Sequence, residues 1–232
     1  MPRLAEREEN ILGFIIRDYI REASPVSSGR VAEDLKPEVS PATIRNVMLE
    51  LGREGYLEQP HTSAGRVPTD KAYRYFVDFL MEYREPAHGF TSAEDFFSER
   101  FSRVFSEEFG LFTGLANFGR HARVFGFGLE KVLKEPEFED HGLSLELANL
   151  ADNLDKFAEN VFEKAREFRP EVFIGGENPY KKARDLSAAA LKFKSGKHGG
   201  CLIFSVGPKR MNYEKISSLL DFISKDLTKR HG

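Results

Sequence analysis

Apolar positions in the first third of the chain recur at helical spacing, and turn formers cut them into short blocks. Ile11, Leu12, Ile15, Ile16, Tyr19 and Ile20 share one helix face, because side chains three and four residues apart stack along a helix. Pro25 is expected to stop that helix. Val26 then begins a short extended piece, and Ser27 or Ser28 caps a second helix carrying Val31 and Leu35, which ends before Pro37. Ser40 and Pro41 open a third helix as its cap and first residue. Along it Ile44, Val47, Met48 and Leu51 point inward, while Thr43, Arg45, Asn46 and Glu50 fall on the other side. Gly55 closes it. Tyr56 and Leu57 read as a strand, QPHTSAGRVP as a reversal with Gly65 at a positive φ, and Val67 as the start of the return strand. Thr69 caps a fourth helix in which Tyr73, Phe76, Val77 and Leu80 repeat at helical spacing.

Beyond it the pattern is coarser. Residues 85–95 mix Pro, Gly and Ser with polar residues and read as a linker. Phe97, Phe101, Phe105 and Phe109, with Val104 and Phe112 beside them, form a stripe at four-residue spacing, expected as a buried or dimeric helix face. Gly126 and Gly128 lack the third glycine and acidic follow-up of a dinucleotide fingerprint, so they read as a turn before a helix. A long helix is expected from Leu143 to Phe168, with Leu147, Leu150, Leu154, Phe157 and Val161 in heptad-like spacing. EVFIGG, LSAAALKF and CLIFSVG supply three strands and YEKISSLLDFISKDL a closing helix. Sheet followed by helix makes the second half a compact α+β module.

The chain has 232 residues, 41% hydrophobic and 31% charged, enough apolar material for one large or two smaller domains. One cysteine, Cys201, excludes an internal disulfide framework, and its place on an apolar strand reads as an inert buried thiol. The charged N-terminus carries no signal peptide and no apolar run is long enough to span a bilayer, so the expected location is cytoplasmic. No HExxH, CxxC pair, GxSxG or Walker-type loop occurs, and His121, His141 and His198 lie far apart. The expectation is therefore no enzyme, no catalytic or metal-ligating residues and no cofactor.

Three helices joined by short turns, the third capped and followed by a hairpin, describe a winged helix-turn-helix. The net charge of −3 does not advertise a nucleic-acid binder, and acids outnumber bases up to Glu85, so any basic footprint is local. Winged helices also serve as protein-interaction modules, and charge alone leaves that reading open. Position favours DNA. Arg45 and Asn46 sit at the exposed start of the third helix, where Arg can bridge a guanine edge and Asn an adenine edge. Thr43 beside them and Ser28 on the second helix complete the helical candidates. Arg66, with Thr62 and Ser63, is expected at the wing tip for phosphate or minor-groove contact. His61 is expected to cap the hairpin or touch a phosphate. Lys209 and Arg210 follow the last strand, where a basic pair could hold an anion or a partner but is more often a solvated turn.

PVSS at 25–28, SPATIRNVMLELGREGYLEQPHTSAGRVPT at 40–69 and YRYFVD from Tyr73 closely resemble the N-terminal domain of the HrcA family of heat-inducible transcription repressors. VFIGGENP at 172–179 and GCLIFSVGPKRMNYEKISSLLDFIS at 200–224 resemble the end of that family's GAF-like regulatory domain. The resemblance implies an α+β protein with an N-terminal winged helix-turn-helix domain and a C-terminal GAF-like regulatory domain. The expected organisation is a DNA-binding domain at 1–84, a linker at 85–95 and a regulatory and dimerisation domain at 96–232. It also implies a homodimer that represses chaperone operons from an inverted-repeat operator on double-stranded DNA, with activity maintained by a GroEL-type chaperonin. Two departures stand out: family members are usually longer, the inserted dimerisation subdomain being missing here, and Ala72 replaces the usual Gly before the YR pair. The alternative is a winged-helix protein-interaction or ligand-sensing regulator without operator binding.

Overall fold

The computed structural model describes residues 2–35, 40–61, 65–81, 106–107, 109–119, 122–195 and 199–231. The chain divides into two compact units, Met1–Met81 and Glu82–Gly232. The linker expected at 85–95 and the Phe97, Phe101 and Phe105 stripe lie outside the described residues.

Unit one begins with α1 (Glu6–Glu22), whose Ile11, Leu12, Ile15 and Ile16 are fully buried. The helix does not run to Pro25: Ala23 turns left-handed at φ 51° and donates its amide to the Tyr19 carbonyl at 3.0 Å, which ends it. The short α2 (Ser28–Asp34) is capped by Ser27, whose Oγ accepts from Arg30 N at 3.3 Å. In α3 (Pro41–Arg53) Ile44, Val47, Met48 and Leu51 are buried as their spacing requires. A paired turn closes that helix: Gly55 takes φ +78° and donates to Gly52 O at 3.1 Å, while Tyr56 N donates to Leu51 O at 2.8 Å. Strands β1 (Leu57–Glu58) and β2 (Val67–Pro68) pair antiparallel. Thr69 caps α4 (Asp70–Tyr75) by accepting from Ala72 N at 3.3 Å, and the chain continues as a π-helical turn over Phe76–Leu80.

Gly65 is not at a positive φ, contrary to the expectation from turn chemistry. Its glycine is required by a close approach instead. A Cβ there would lie 2.4 Å from the backbone of Val26, and Val26 and Arg66 exchange two backbone hydrogen bonds of 2.9 Å.

Unit two is built on five antiparallel strands in the order β4-β3-β7-β6-β5. These are β3 (Phe112–Asn117), β4 (Arg123–Phe127), β5 (Pro170–Phe173), β6 (Leu186–Ser195) and β7 (Gly199–Pro208). The last three match the strand candidates. Phe112 belongs to a strand and not to the helical phenylalanine stripe, and Gly126 lies within β4 under the Phe112 ring rather than in a turn. Gly128, at φ +88°, makes the turn into the short helix α5 (Leu129–Val132).

The helix expected from Leu143 to Phe168 is two helices, α6 (His141–Asp152) and α7 (Leu154–Lys164). Asn153 adopts φ −120° and ψ 38°, and its side-chain amide donates back to Asn149 O at 2.9 Å, competing with the helical ladder. The break lets both helices lie on the sheet. Phe157, between them and β7, meets Phe204 and Tyr180 edge-on at 5.2 and 6.1 Å, in a core with Leu147, Leu150, Phe112 and Val161. Helix α8 (Tyr213–His231) covers the other face, burying Ile216, Leu219, Leu220 and Ile223. Beneath it Tyr213 OH donates to Ser187 Oγ at 3.0 Å, and Thr113 Oγ1 lies 2.9 Å from Ser205 Oγ. A sheet covered on both sides needs apolar residues at consecutive positions, which is how Ala188, Ala189, Ala190 and Leu191 come to be buried together. Among the described residues no helix is long and apolar enough to cross a membrane.

Candidate nucleic-acid interface

Helix α3 turns one face to the core and leaves Arg45, Asn46, Glu50 and Arg53 exposed on the other. Leu49, 42% exposed, joins that face. Its start is set by Ser40, whose Oγ accepts from Thr43 N at 3.2 Å and lies 2.9 Å from Thr43 Oγ1. Thr43 is thus half-buried and engaged in the cap, while Arg45 and Asn46, two and three residues further on, are exposed.

The far end of α3 is held by the start of α4. Thr69 Oγ1 donates to Gly55 O at 2.7 Å, and Lys71 Nζ donates to Glu54 O at 2.6 Å while lying 4.0 Å from the centroid of the Tyr56 ring. A cation on the last carbonyls complements the negative end of the helix dipole. Burial, with Glu54 and Glu8 nearby, pushes the Tyr56 phenol above its ordinary range, so the ring under Lys71 stays neutral.

Arg66 is not at the hairpin tip. It stands at the base, paired with Val26, and its guanidinium reaches back over α3, where a methyl group on Gly52 would come within 3.6 Å of Nη1. Arg45 and Arg66 therefore mark two ends of one helix, about 10 Å apart along its axis at 1.5 Å per residue. His61 is exposed and makes no hydrogen bond with a described residue. Thr62 and Ser63 lie outside the described residues. Ser28 is the half-buried first residue of α2, next to the cap rather than the cap itself.

Asp18 was not among the candidates, yet it anchors this arrangement. Its side chain is fully buried in α1, and Oδ1 accepts from Arg21 at 2.7 Å and pairs with Arg30 of α2 at 3.0 Å. The signal was present in the chain: Asp18 occupies an apolar-face position three residues after Ile15, where a charge is out of place unless paired. The N-terminal arm is fixed similarly. Tyr75 OH donates to Glu9 at 2.6 Å and accepts from Leu4 N at 2.7 Å. That bond, and Arg3, hold the Glu9 carboxyl below its usual range.

In unit two neither reading of the Lys209–Arg210 pair holds. Arg210, 10% exposed, is clasped by Glu135 at 2.5 Å and by Glu137, and Lys209 pairs with Asp185 at 3.2 Å. Cys201 is buried, and burial pushes its thiol up to about 12, leaving it unreactive. No cluster of His, Cys, Asp and Glu that could hold a metal occurs among the described residues.

These features define a mixed helix-and-sheet protein in two units, the first presenting one polar helix face. The whole fold has a solved counterpart: a crystal structure of a hypothetical protein at 2.2 Å resolution, 22% identical, covers 97% of both chains with a TM-score of 0.73. Residues 88–216, more than half the chain, match the family model described as HrcA protein C terminal domain. The chain belongs to the HrcA family. It is 55% identical over 80 residues to the heat-inducible transcription repressor HrcA of Chlorobium limicola, covering 34% of this chain and 22% of that protein. It is 41% identical over 155 residues to the repressor of the same name from Nitratidesulfovibrio vulgaris, covering 66% of this chain and 42% of that one. The chain thus spans less than half the length of the curated relatives it matches.

Proposed function

We propose that this protein is a DNA-binding transcriptional repressor of heat-shock (chaperone) operons, holding an inverted-repeat operator as a homodimer. Unit one acts as a winged helix-turn-helix, with α3 as the reading helix and the β1–β2 hairpin as the wing. The observation that carries this reading is the division of α3 into a buried apolar face and an exposed face beginning with Arg45 and Asn46. Arg45 reads a guanine edge, Asn46 an adenine edge, and Leu49 meets a thymine methyl. Arg66 approaches a phosphate from the base of the wing, and Ser28, Thr43, His61, Thr62 and Ser63 position the backbone around it. The names of the relatives support repression and heat induction. Residues 96–232, after a linker at 85–95, act as a GAF-like regulatory and dimerisation module, and family resemblance makes a GroEL-type chaperonin its controlling partner in the cytoplasm. No enzymatic role is assigned.

Gel-shift titration of an inverted-repeat duplex against a scrambled duplex at fixed salt tests this. Arg45→Ala and Asn46→Ala each weaken specific binding by about 10- to 100-fold, the cost of one lost bidentate base contact of roughly 1–3 kcal/mol. Unchanged affinity in both variants sinks the assignment of α3. The acidic balance of unit one motivates a second reading, a winged-helix interaction or ligand-sensing module without operator binding. It predicts no preference between the two duplexes even at low salt.

A further inference from the structure

The connection between β5 and β6, residues 174–185, is fastened to helix α6 and charged on its outside. Tyr180 OH donates to Asn149 Oδ1 at 2.9 Å, the Asp185 amide donates to Glu146 Oε2 at 3.1 Å, and Ala183 is fully buried. Between these anchors Lys181, Lys182 and Arg184 are exposed, and none makes an ion pair or hydrogen bond with a described residue. The acids of the same region are engaged elsewhere. Glu177 Oε2 accepts from Ile174 N at 3.0 Å, Glu146 takes the Asp185 amide, and Asp185 pairs with Lys209 at 3.2 Å. Surface cations by themselves describe a solvated turn. Asn178 adds a second observation. It is fully buried, and its Oδ1 accepts from Tyr180 N at 3.1 Å, which fixes the orientation of the amide and leaves Nδ2 with no partner. A buried NH2 group offers two donors, and native structures rarely leave such a group without an acceptor. Gly176, two residues earlier, is exposed; a Cβ there would meet nothing within 4 Å, and its φ is not left-handed. Neither packing nor backbone conformation calls for that glycine, and it leaves the turn uncovered.

We infer that this connection is a binding site for a small phosphorylated molecule, and that a diphosphate is the group it takes. Lys and Arg side chains hold phosphate oxygens through charge-assisted hydrogen bonds. One phosphate monoester carries about 1.5 to 2 negative charges at neutral pH, so three cations match two linked phosphates better than one. Asn178 Nδ2 donates to a further ligand oxygen as the open turn at Gly176 shifts to admit it. The inference rests on the proposed regulatory role of residues 96–232 for the use of such a ligand, and supplies its chemical class.

Isothermal titration of the full chain with inorganic pyrophosphate and with inorganic phosphate, in the absence of DNA, tests it. Pyrophosphate binds about tenfold or more tightly than phosphate. The combined variant K181A/K182A/R184A alters exposed side chains only, and weakens pyrophosphate binding by about tenfold or more. The variant K131A/K156A/K164A removes the same charge from other exposed positions of unit two and leaves the affinity unchanged. Asn178→Asp keeps the acceptor for Tyr180 N but replaces the donors with an oxygen that repels the anion, and it weakens binding by a similar factor, measured against the folded fraction from circular dichroism. Where that variant does not fold, the exposed triple decides. No heat of binding at millimolar pyrophosphate, or an equal loss in the two triple variants, overturns the site and leaves operator binding standing. A scrambled duplex that displaces pyrophosphate, with K181A/K182A/R184A losing duplex affinity in the same proportion, assigns these cations to nucleic acid and overturns the small-molecule site.

Discussion

At the scale of single residues, Gly65 shows how one requirement can be read for the wrong reason. Turn chemistry points to a glycine with positive φ, and the glycine is needed, but to let Val26 pass within van der Waals distance. That neighbour lies in the connection before α2, and no local pattern announces it. Gly65→Ala forces the Val26–Arg66 pairing apart and lowers the unfolding free energy of unit one by about 2–3 kcal/mol, the usual cost of overpacking. Urea denaturation followed by far-ultraviolet circular dichroism measures it; a loss under 0.5 kcal/mol contradicts the close approach. Arg45 and Asn46 were legible because the apolar positions Ile44, Val47, Met48 and Leu51 dictate the opposite face. The place of Arg66 was not, because the direction in which a long side chain folds back depends on the room left by Gly52, fourteen residues earlier.

At the scale of elements, capped helices were the readable part and strands near glycine were not. Ser40, Thr69 and the Gly55 turn mark helix ends with local chemistry, so α3 and α4 could be placed from sequence. Strands β3 and β4 carry Gly114 and Gly126, which make room for the rings of Phe204 and Phe112, and weaken the period-two signal of a strand. Asn153 broke the expected long helix through a side-chain bond that apolar spacing does not report. The loop after β7 looked like a solvated basic pair because its counter-charges come from distant parts of the chain, Glu135 and Glu137 before α6 and Asp185 before β6. Arg210→Ala leaves Glu135 and Glu137 facing each other without a cation. The expected cost is about 3 kcal/mol, as for breaking a buried ion pair by removing one partner. A midpoint in urea equal to wild type would show that the clasp contributes nothing.

At the scale of the whole molecule, an acidic chain proposed to bind DNA must do so through few cations. Its salt dependence is correspondingly shallow, and each phosphate contact is visible in it. Arg66→Ala is expected to reduce the slope of log affinity against log salt by about two per dimer while weakening all duplexes alike. Anisotropy titrations between low and moderate salt give the slope, and an unchanged value places Arg66 off the phosphate backbone. The structure divides into two compact units, and the partition of each unit's core needed the packing to be seen. The hairpin is fastened at its base twice, by Val26 on Arg66 and by Thr69 on Gly55, both outside residues 59–64. Closure entropy changes by only about 0.6 kcal/mol for each doubling of a loop. A lineage can therefore alter the length or lettering of the reversal while inheriting α3 intact, so under the proposed DNA-binding reading what the helix recognises and what the hairpin touches are free to diverge on separate schedules.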